Sequence, residues 1–326
     1  MQRRDIIRAT LAGIGTLAGA GSLWAQKYPA GTVNIVLPLQ AGSASDVAVR
    51  HVAERLGSRF GTGFVVENVA AAAGVVGLDR LARAKPDGQT IAALNNSITT
   101  ILPHLQPQNV KVDTRRDFLP VCGIANIPTF FAVPKNSPIR NIQELLELAR
   151  KEPERITYSS GGVGSPQHLA TEMLKSYTGT QLVHVPYRGA SQAALAVATG
   201  EVSLMSMALS LAQPFLPEGR VRFIGYCGAE RHPQFPQVPT LQEQGVAKYD
   251  YSSWIGLFLH KDVPAEVLST LRKACEAIVN DPALQAQIQR SGMDPWPRNA
   301  EQLSRIVAED YARWQTIIKQ AGIQGS

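Results

Sequence analysis

The sequence predicts an α/β protein folded as two lobes, each a mixed, mostly parallel sheet flanked by helices. From Val33 onward, short apolar runs alternate with amphipathic stretches, the rhythm of βαβ units. A second block with the same rhythm begins after Pro120, and neither block is large enough to hold the C-terminal helical segment as well. The arrangement that accommodates all three builds one lobe from residues 26–124 plus 227–326 and the other from residues 125–226.

In the first block, strands are expected over Val33–Leu37, Phe64–Glu67 and Gln89–Leu94, with helices over Ser45–Phe60 and Val75–Ala84. The first helix puts Val49, Val52, Ala53, Leu56 and Phe60 on one face and Arg50, Glu54, Arg55 and Arg59 on the other, so it lies on the sheet with a wet back. Asp46 falls in its first turn, where negative charge is favoured. In the second block the strands are Thr129–Val133, Ile156–Ser159, Leu182–Val185 and Val202–Ser206, and the helices are Ile142–Lys151, Pro166–Tyr177 and Ala190–Thr199. Asn141 with Glu144 forms a helix-start signal, and Gly200 a stop signal. After a strand at Val221–Tyr226 comes a loop too rich in proline for a central strand, then a strand around Trp254–Leu259 and helices from Pro264 onward.

Residues 1–25 read as a cleavable export signal: Arg3, Arg4 and Arg8 precede an uncharged Ala/Gly/Leu segment, and the small Ala25 closes it. Arg3-Arg4 and the weakly apolar core resemble a twin-arginine signal, with the Sec route as the other possibility. Gly13, Gly15, Gly19 and Gly21 make the segment a poor membrane anchor. Gly13 and Gly15 also spell part of a dinucleotide fingerprint, but no strand precedes them. The expected compartment is the periplasm.

The formal charge of +6 falls to +4 without this segment, and there is no basic run with interleaved aromatics, so nucleic-acid binding has no support. Three cysteines, Cys122, Cys227 and Cys275, with no C-x-x-C spacing, indicate neither zinc nor a disulfide framework. Cys122 and Cys227 lie on the two segments expected to cross between lobes, so their approach is a further conjecture.

Two strand-to-helix loops carry the functional reading: "PLQAGSASD" (Pro38 to Asp46) and "SSGGVGSPQ" (Ser159 to Gln167). A helix start exposes unpaired N–H groups and the positive end of the helix dipole, so small residues there leave backbone donors open to an anion. Ser43, Ser45 and Ser165 add hydroxyls, and Ser165-Pro166 is a strong helix-start signal. "SSGGVGSPQ" lacks the lysine of a phosphate-binding P-loop, and proline after Ser165 breaks the G-x-S-x-G elbow of serine hydrolases. The six histidines are scattered, and His184 beside a strand end is the one candidate base; an exported hydrolase using Ser165 and His184 stays as an alternative. "VPYRGAS" contributes Arg188, a guanidinium able to clamp a carboxylate.

With these loops go Glu67-Asn68 followed by Gly74 and Gly77, Pro86-Asp87-Gly88, Val185-Pro186-Tyr187-Arg188-Gly189, Val238-Pro239-Thr240 and Trp254-Ile255-Gly256-Leu257. In order and spacing they resemble the Bug family, the extracytoplasmic solute receptors of tripartite tricarboxylate transporters. The resemblance implies a type II periplasmic-binding-protein fold of the Venus flytrap kind, without enzymatic activity or a cofactor, expected as a monomer. It implies a small carboxylate bound between the lobes and membrane subunits of a transporter as partners, a membrane sensor being the other conceivable recipient. The implied ligand-binding positions are Leu39, Gln40, Ser43, Ala44, Ser45 and Asp46 from the first loop, with Ser165, Gly189 and Ala190 facing them and Ser97 after the third strand; Arg188, the guanidinium noted above, completes the candidate set. The chain departs from the family pattern at Leu39, where an aromatic is common, and at Ser43, where a second glycine is.

Overall fold

The structure is a computed structural model, and it describes residues 28–321; the expected export signal lies outside them. The first block folds as β1 (Val33–Leu37), α1 (Ala44–Phe60), β2 (Phe64–Asn68), α2 (Val75–Ala82) and β3 (Thr90–Asn95). A π-helical turn, Ser97–Ile101, runs into the short α3 (Leu102–Leu105); α4 (Thr114–Asp117) then leads to β4 (Phe118–Ile127). The second block comprises β5 (Thr129–Pro134), α5 (Ile142–Lys151), β6 (Thr157–Ser160), α6 (Pro166–Thr178), β7 (Val183–Pro186), α7 (Ala190–Thr199), β8 (Met205–Ala208), α8 (Leu209–Ala212) and β9 (Val221–Tyr226). The chain ends with β10 (Ser253–His260), α9 (Ala265–Val279), α10 (Pro282–Arg290), β11 (Asp294–Arg298) and α11 (Ala300–Ala321).

These strands make a six-stranded sheet in the order β11-β4-β10-β3-β1-β2, a three-stranded sheet β8-β5-β9 and a two-stranded sheet β6-β7. The sheets are mixed, but among the described residues three strand pairs are parallel and five antiparallel, so the expected parallel majority is corrected. Strands joined by a helical crossover, β1-β2 and β6-β7, run parallel as βαβ geometry requires. The strands that cross between the lobes, β4 and β10, enter against their neighbours and pair antiparallel.

Boundaries differ from expectation at the crossings. β4 stays in the large sheet through Ile127, beyond the expected limit at 124. Residues that follow β9 remain with the second lobe: the Cys227 amide donates to Thr129 O, and Cys227, Tyr249 and Tyr251 pack in one core with Tyr158 and Leu169. β11 lies where only helix was expected, and its Pro295 and Pro297 fit an edge strand.

One core runs from β1, α1 and α9 across to α7 and β8, so buried apolar packing is continuous between the lobes. α11 also spans them, with Leu303 and Val307 packed beside the large sheet and Trp314, Ile317 and Ile318 in the core of the second lobe. All three cysteines are buried free thiols. The Cys122–Cys227 conjecture is corrected: Cys122 shares a core with Cys275, while Cys227 sits in a different core beside Tyr249.

Candidate functional site

The site begins with how α1 starts. Ser43 caps the helix by accepting the Asp46 amide, and the Asp46 carboxylate accepts the Gly42 amide at 3.0 Å. Gly42 has φ +76, a left-handed conformation that suits glycine and turns the loop into the helix. Asp46 is 4 % exposed and also holds Arg50 and the Asn68 amide. Burial raises its pKa, and the bonds from Arg50, the Gly42 amide and Asn68 together outweigh that, holding the carboxyl below its usual range. Asp46 therefore shapes the loop from behind and is neutralised by Arg50.

The second loop starts α6 in the same way, with Ser165 as N-cap accepting from the His168 amide and Pro166 at the first helical position. In both caps the serine oxygen is the acceptor, which leaves the hydroxyl proton free to donate outward. α7 starts at Gly189 without a side-chain cap, so its first amides have no capping side chain.

These three helix starts converge on one cavity. It is lined by Leu39, Gln40, Ser43, Ala44 and Ser45 from the first loop, by Gly161 and Val163 to Gln167 from the second, and by Ala190 from α7. Ala70, Ala73, Ile98, Ile127, Ala208 and Leu211 supply apolar wall, and Thr129, Ser206 and Ser253 supply hydroxyls where the crossing strands meet. No Asp, Glu, Lys, Arg or His is among the lining residues. The lobes touch around it: Ser191 Oγ donates to Gly42 O at 3.5 Å, and a Cβ on Gly189 would stand 2.9 Å from Gln40 Oε1.

Among the expected site residues, Leu39, Gln40, Ser43, Ala44, Ser45, Ser165 and Ala190 line the cavity, and Gly189 abuts it through Gln40. Asp46, Ser97 and Arg188 do not line it. Ser97 is 2 % exposed in the π-helical turn, where its neighbour Ile98 takes the wall position. Arg188 is exposed, one residue before the N-cap and pointing its charge to solvent. Sequence reasoning missed Gln167, although it is the last residue of the quoted loop; the residue is 8 % exposed and its Oε1 is buried and unpartnered.

The hydrolase alternative fails on the same geometry. His184 Nε2 lies 2.6 Å from Ser160 Oγ rather than meeting Ser165, and Ser160 is fully buried behind the cavity wall. Among the described residues no cluster of His, Cys, Asp and Glu has the makings of a metal site.

Two lobes with an uncharged cavity between them, ringed by helix starts, have the architecture of a solute-binding protein. The chain belongs to the receptor family of tripartite tricarboxylate transporters: the family model described as "Tripartite tricarboxylate transporter family receptor" matches residues 48–323. The Bug-family resemblance of its motifs is borne out. A relative from Pseudomonas sp. (strain P51), the UPF0065 protein in the tcbD-tcbE intergenic region, is 31 % identical over 315 residues, covering 95 % of this chain and 93 % of its own. Among solved structures, Rpa4515 of R. palustris with adipate superposes with TM-score 0.85 at 29 % identity, covering 91 % of this chain and 99 % of that one. The periplasmic binding protein BugD gives TM-score 0.83 at 28 % identity, covering 91 % and 99 %. Among the described residues no helix is long and apolar enough to cross a membrane.

Proposed function

We propose that this chain is a periplasmic receptor that captures a small organic carboxylate between its lobes and delivers it to the membrane subunits of a tripartite tricarboxylate transporter. The observation that carries this reading is the convergence of the α1, α6 and α7 starts on a cavity lined by no charged side chain. Each helix start presents roughly half a positive charge, so three together suit one carboxylate. The donors are the first-turn amides of Ala44, Ser45 and Ala190 and the hydroxyl protons of Ser43 and Ser165.

A carboxylate has about four lone-pair sites for these five donors, and four bonds at about 1.5–3 kcal/mol each supply roughly 6–12 kcal/mol, against an association cost of about 4–15 kcal/mol. Closure of the lobes and burial of the ligand's apolar body have to supply the remainder. A relative of this chain binds adipate in its solved structure, which supports the ligand class. The lobe limits consistent with the strands are residues 28–127 plus 253–321 for the first lobe and residues 128–252 for the second, with a cleavable leader over residues 1–25 and a monomeric receptor.

Calorimetry of the purified protein with a panel of mono-, di- and tricarboxylates tests the reading; binding of none would overturn it. Ser43→Asp should abolish binding by placing a carboxylate at the cradle while the protein stays folded, and unchanged binding would displace the site. Recovery of transporter subunits, and not of a sensor, from membranes with the tagged receptor tests the delivery step.

A further inference from the structure

We propose that the cavity selects a monocarboxylate with an uncharged body over a dicarboxylate of the same length, and that Gln167 is the side chain that completes the carboxylate cradle. This rests on the carboxylate-receptor reading and sharpens its ligand class.

Gln167 is the first-turn residue of α6 that follows Pro166, and it lines the cavity at 8 % exposure with Oε1 unpartnered. Its Oε1 lies 3.5 Å from where a Cβ on Gly161 would stand, and the Ala190 amide nitrogen lies 3.1 Å from the same point. The carboxamide and the start of α7 therefore share one corner. A buried amide oxygen without a donor is costly, and a half-turn about the last side-chain bond puts Nε2 there instead. Turned so, Gln167 donates to the same carboxylate that the helix starts attract.

The wall contributed by β4, β5, β8 and β10 has the reverse chemistry. Ser253 Oγ donates to Asn96 Oδ1 at 3.2 Å, and the Asn96 amide is fixed by its own 2.7 Å bond to Ser252 O, so the Ser253 proton is committed. Ser206 Oγ donates to Gln167 O at 3.2 Å, and Thr129 Oγ1 donates to Ile127 O at 3.2 Å. All three hydroxyls present oxygen, not hydrogen, to a ligand. Ile98, Ile127, Ala208 and Leu211 form the rest of that wall. A second carboxylate there meets acceptor oxygens and hydrocarbon without a charge to offset its desolvation. An alkyl or ring terminus fits this wall, and a terminal hydroxyl can donate to it.

The test compares chain-matched ligands on the purified receptor by calorimetry: monocarboxylates of three to eight carbons, their ω-hydroxy derivatives and the dicarboxylates of equal length, plus benzoate against terephthalate. The expected result is that the best monocarboxylate or ω-hydroxy acid binds at least tenfold more tightly than its dicarboxylate partner. A dicarboxylate binding equally or more tightly overturns the selectivity while leaving the carboxylate reading intact; binding by no acid overturns both. With the best ligand, Gln167→Ala should lose at least tenfold in affinity and Gln167→Glu more, each variant keeping the wild-type circular dichroism spectrum. Unchanged affinity in folded Gln167→Ala removes Gln167 from the cradle.

Discussion

Behind the cavity wall, Ser160 Oγ and His184 Nε2 are joined by a 2.6 Å hydrogen bond, and the His184 ring stacks on Tyr158 at 4.8 Å. Next to them, His168 Nδ1 accepts the amide of Gly164, a residue of the cavity loop whose φ of +78 depends on glycine. The loop thus leans on two imidazoles, of which His168 must be neutral at Nδ1 to accept the Gly164 amide.

Burial, and then the neighbouring His168, push His184 down to about 4, and burial also lowers His168. Glu172 opposes both shifts while Lys175 adds to them; these groups, with Tyr158, face the pair. A histidine whose folded pKa is depressed contributes stability that is present above its unfolded pKa of 6.5 and is lost as pH falls through the folded value. For this half-buried ring the loss between pH 6.5 and 4 is about 1–2 kcal/mol after allowance for solvent screening. Denaturant melts at stepped pH should show it, and His184→Gln, which keeps a hydrogen-bonding group, should flatten the slope over that window.

Gly77 is fixed by space: a Cβ there would meet Pro38 Cβ at 2.8 Å and Val69 O at 2.9 Å. Since Pro38 lines the cavity, Gly77→Ala should cost about 1–3 kcal/mol in urea unfolding, as overpacking does. It should also weaken ligand binding.

Trp254 Nε1 donates to Asp310 Oδ2 at 2.7 Å, linking β10 to α11. Burial raises the Asp310 pKa above its usual range despite this bond. Trp254→Phe removes the donor and leaves a carboxylate short of a partner, so it should destabilise by about 1–3 kcal/mol near neutral pH. The cost should shrink in acid, where the carboxyl is protonated; equal cost at both pH values would count against this account.

Cys122, Cys227 and Cys275 are all buried and free. Burial pushes the Cys227 thiol far up, and the neighbouring Cys122 thiol followed by burial raises Cys275. A thiol reagent should therefore find no reactive group in the native protein at neutral pH and three in denaturant. Two or fewer in denaturant would mean that a bond forms between cysteines.

Local chemistry made much of this fold legible. Asn141 caps α5 through the Glu144 amide, Ser165-Pro166 starts α6, and Gly200 ends α7 in a left-handed conformation, all where turn and cap residues place them. Long-range features were not. Pro120 reads as a strand breaker, yet β4 absorbs it at a bulge opposite Phe258. The DPWPR stretch has no strand periodicity, and only pairing of Asp294 and Pro295 with Asn126 and Ala125 makes it β11. At the site, the small-residue loops announced the anion cradle, but the inward turn of Gln167 and the outward turn of Arg188 depend on the packing of α6 and α7, which no local pattern encodes.

The reach of α11 restricts how the receptor opens. Its first half is locked beside the large sheet by Leu303 and Val307, and its second half in the other lobe by Trp314, Ile317 and Ile318. A separation of the lobes that pulled on both halves would have to break a 22-residue helix or strip Trp314 from its core. A motion that leaves α11 intact keeps both of its halves seated, as a spine holds the covers of a book, and parts the lobes where Gln40 meets Gly189.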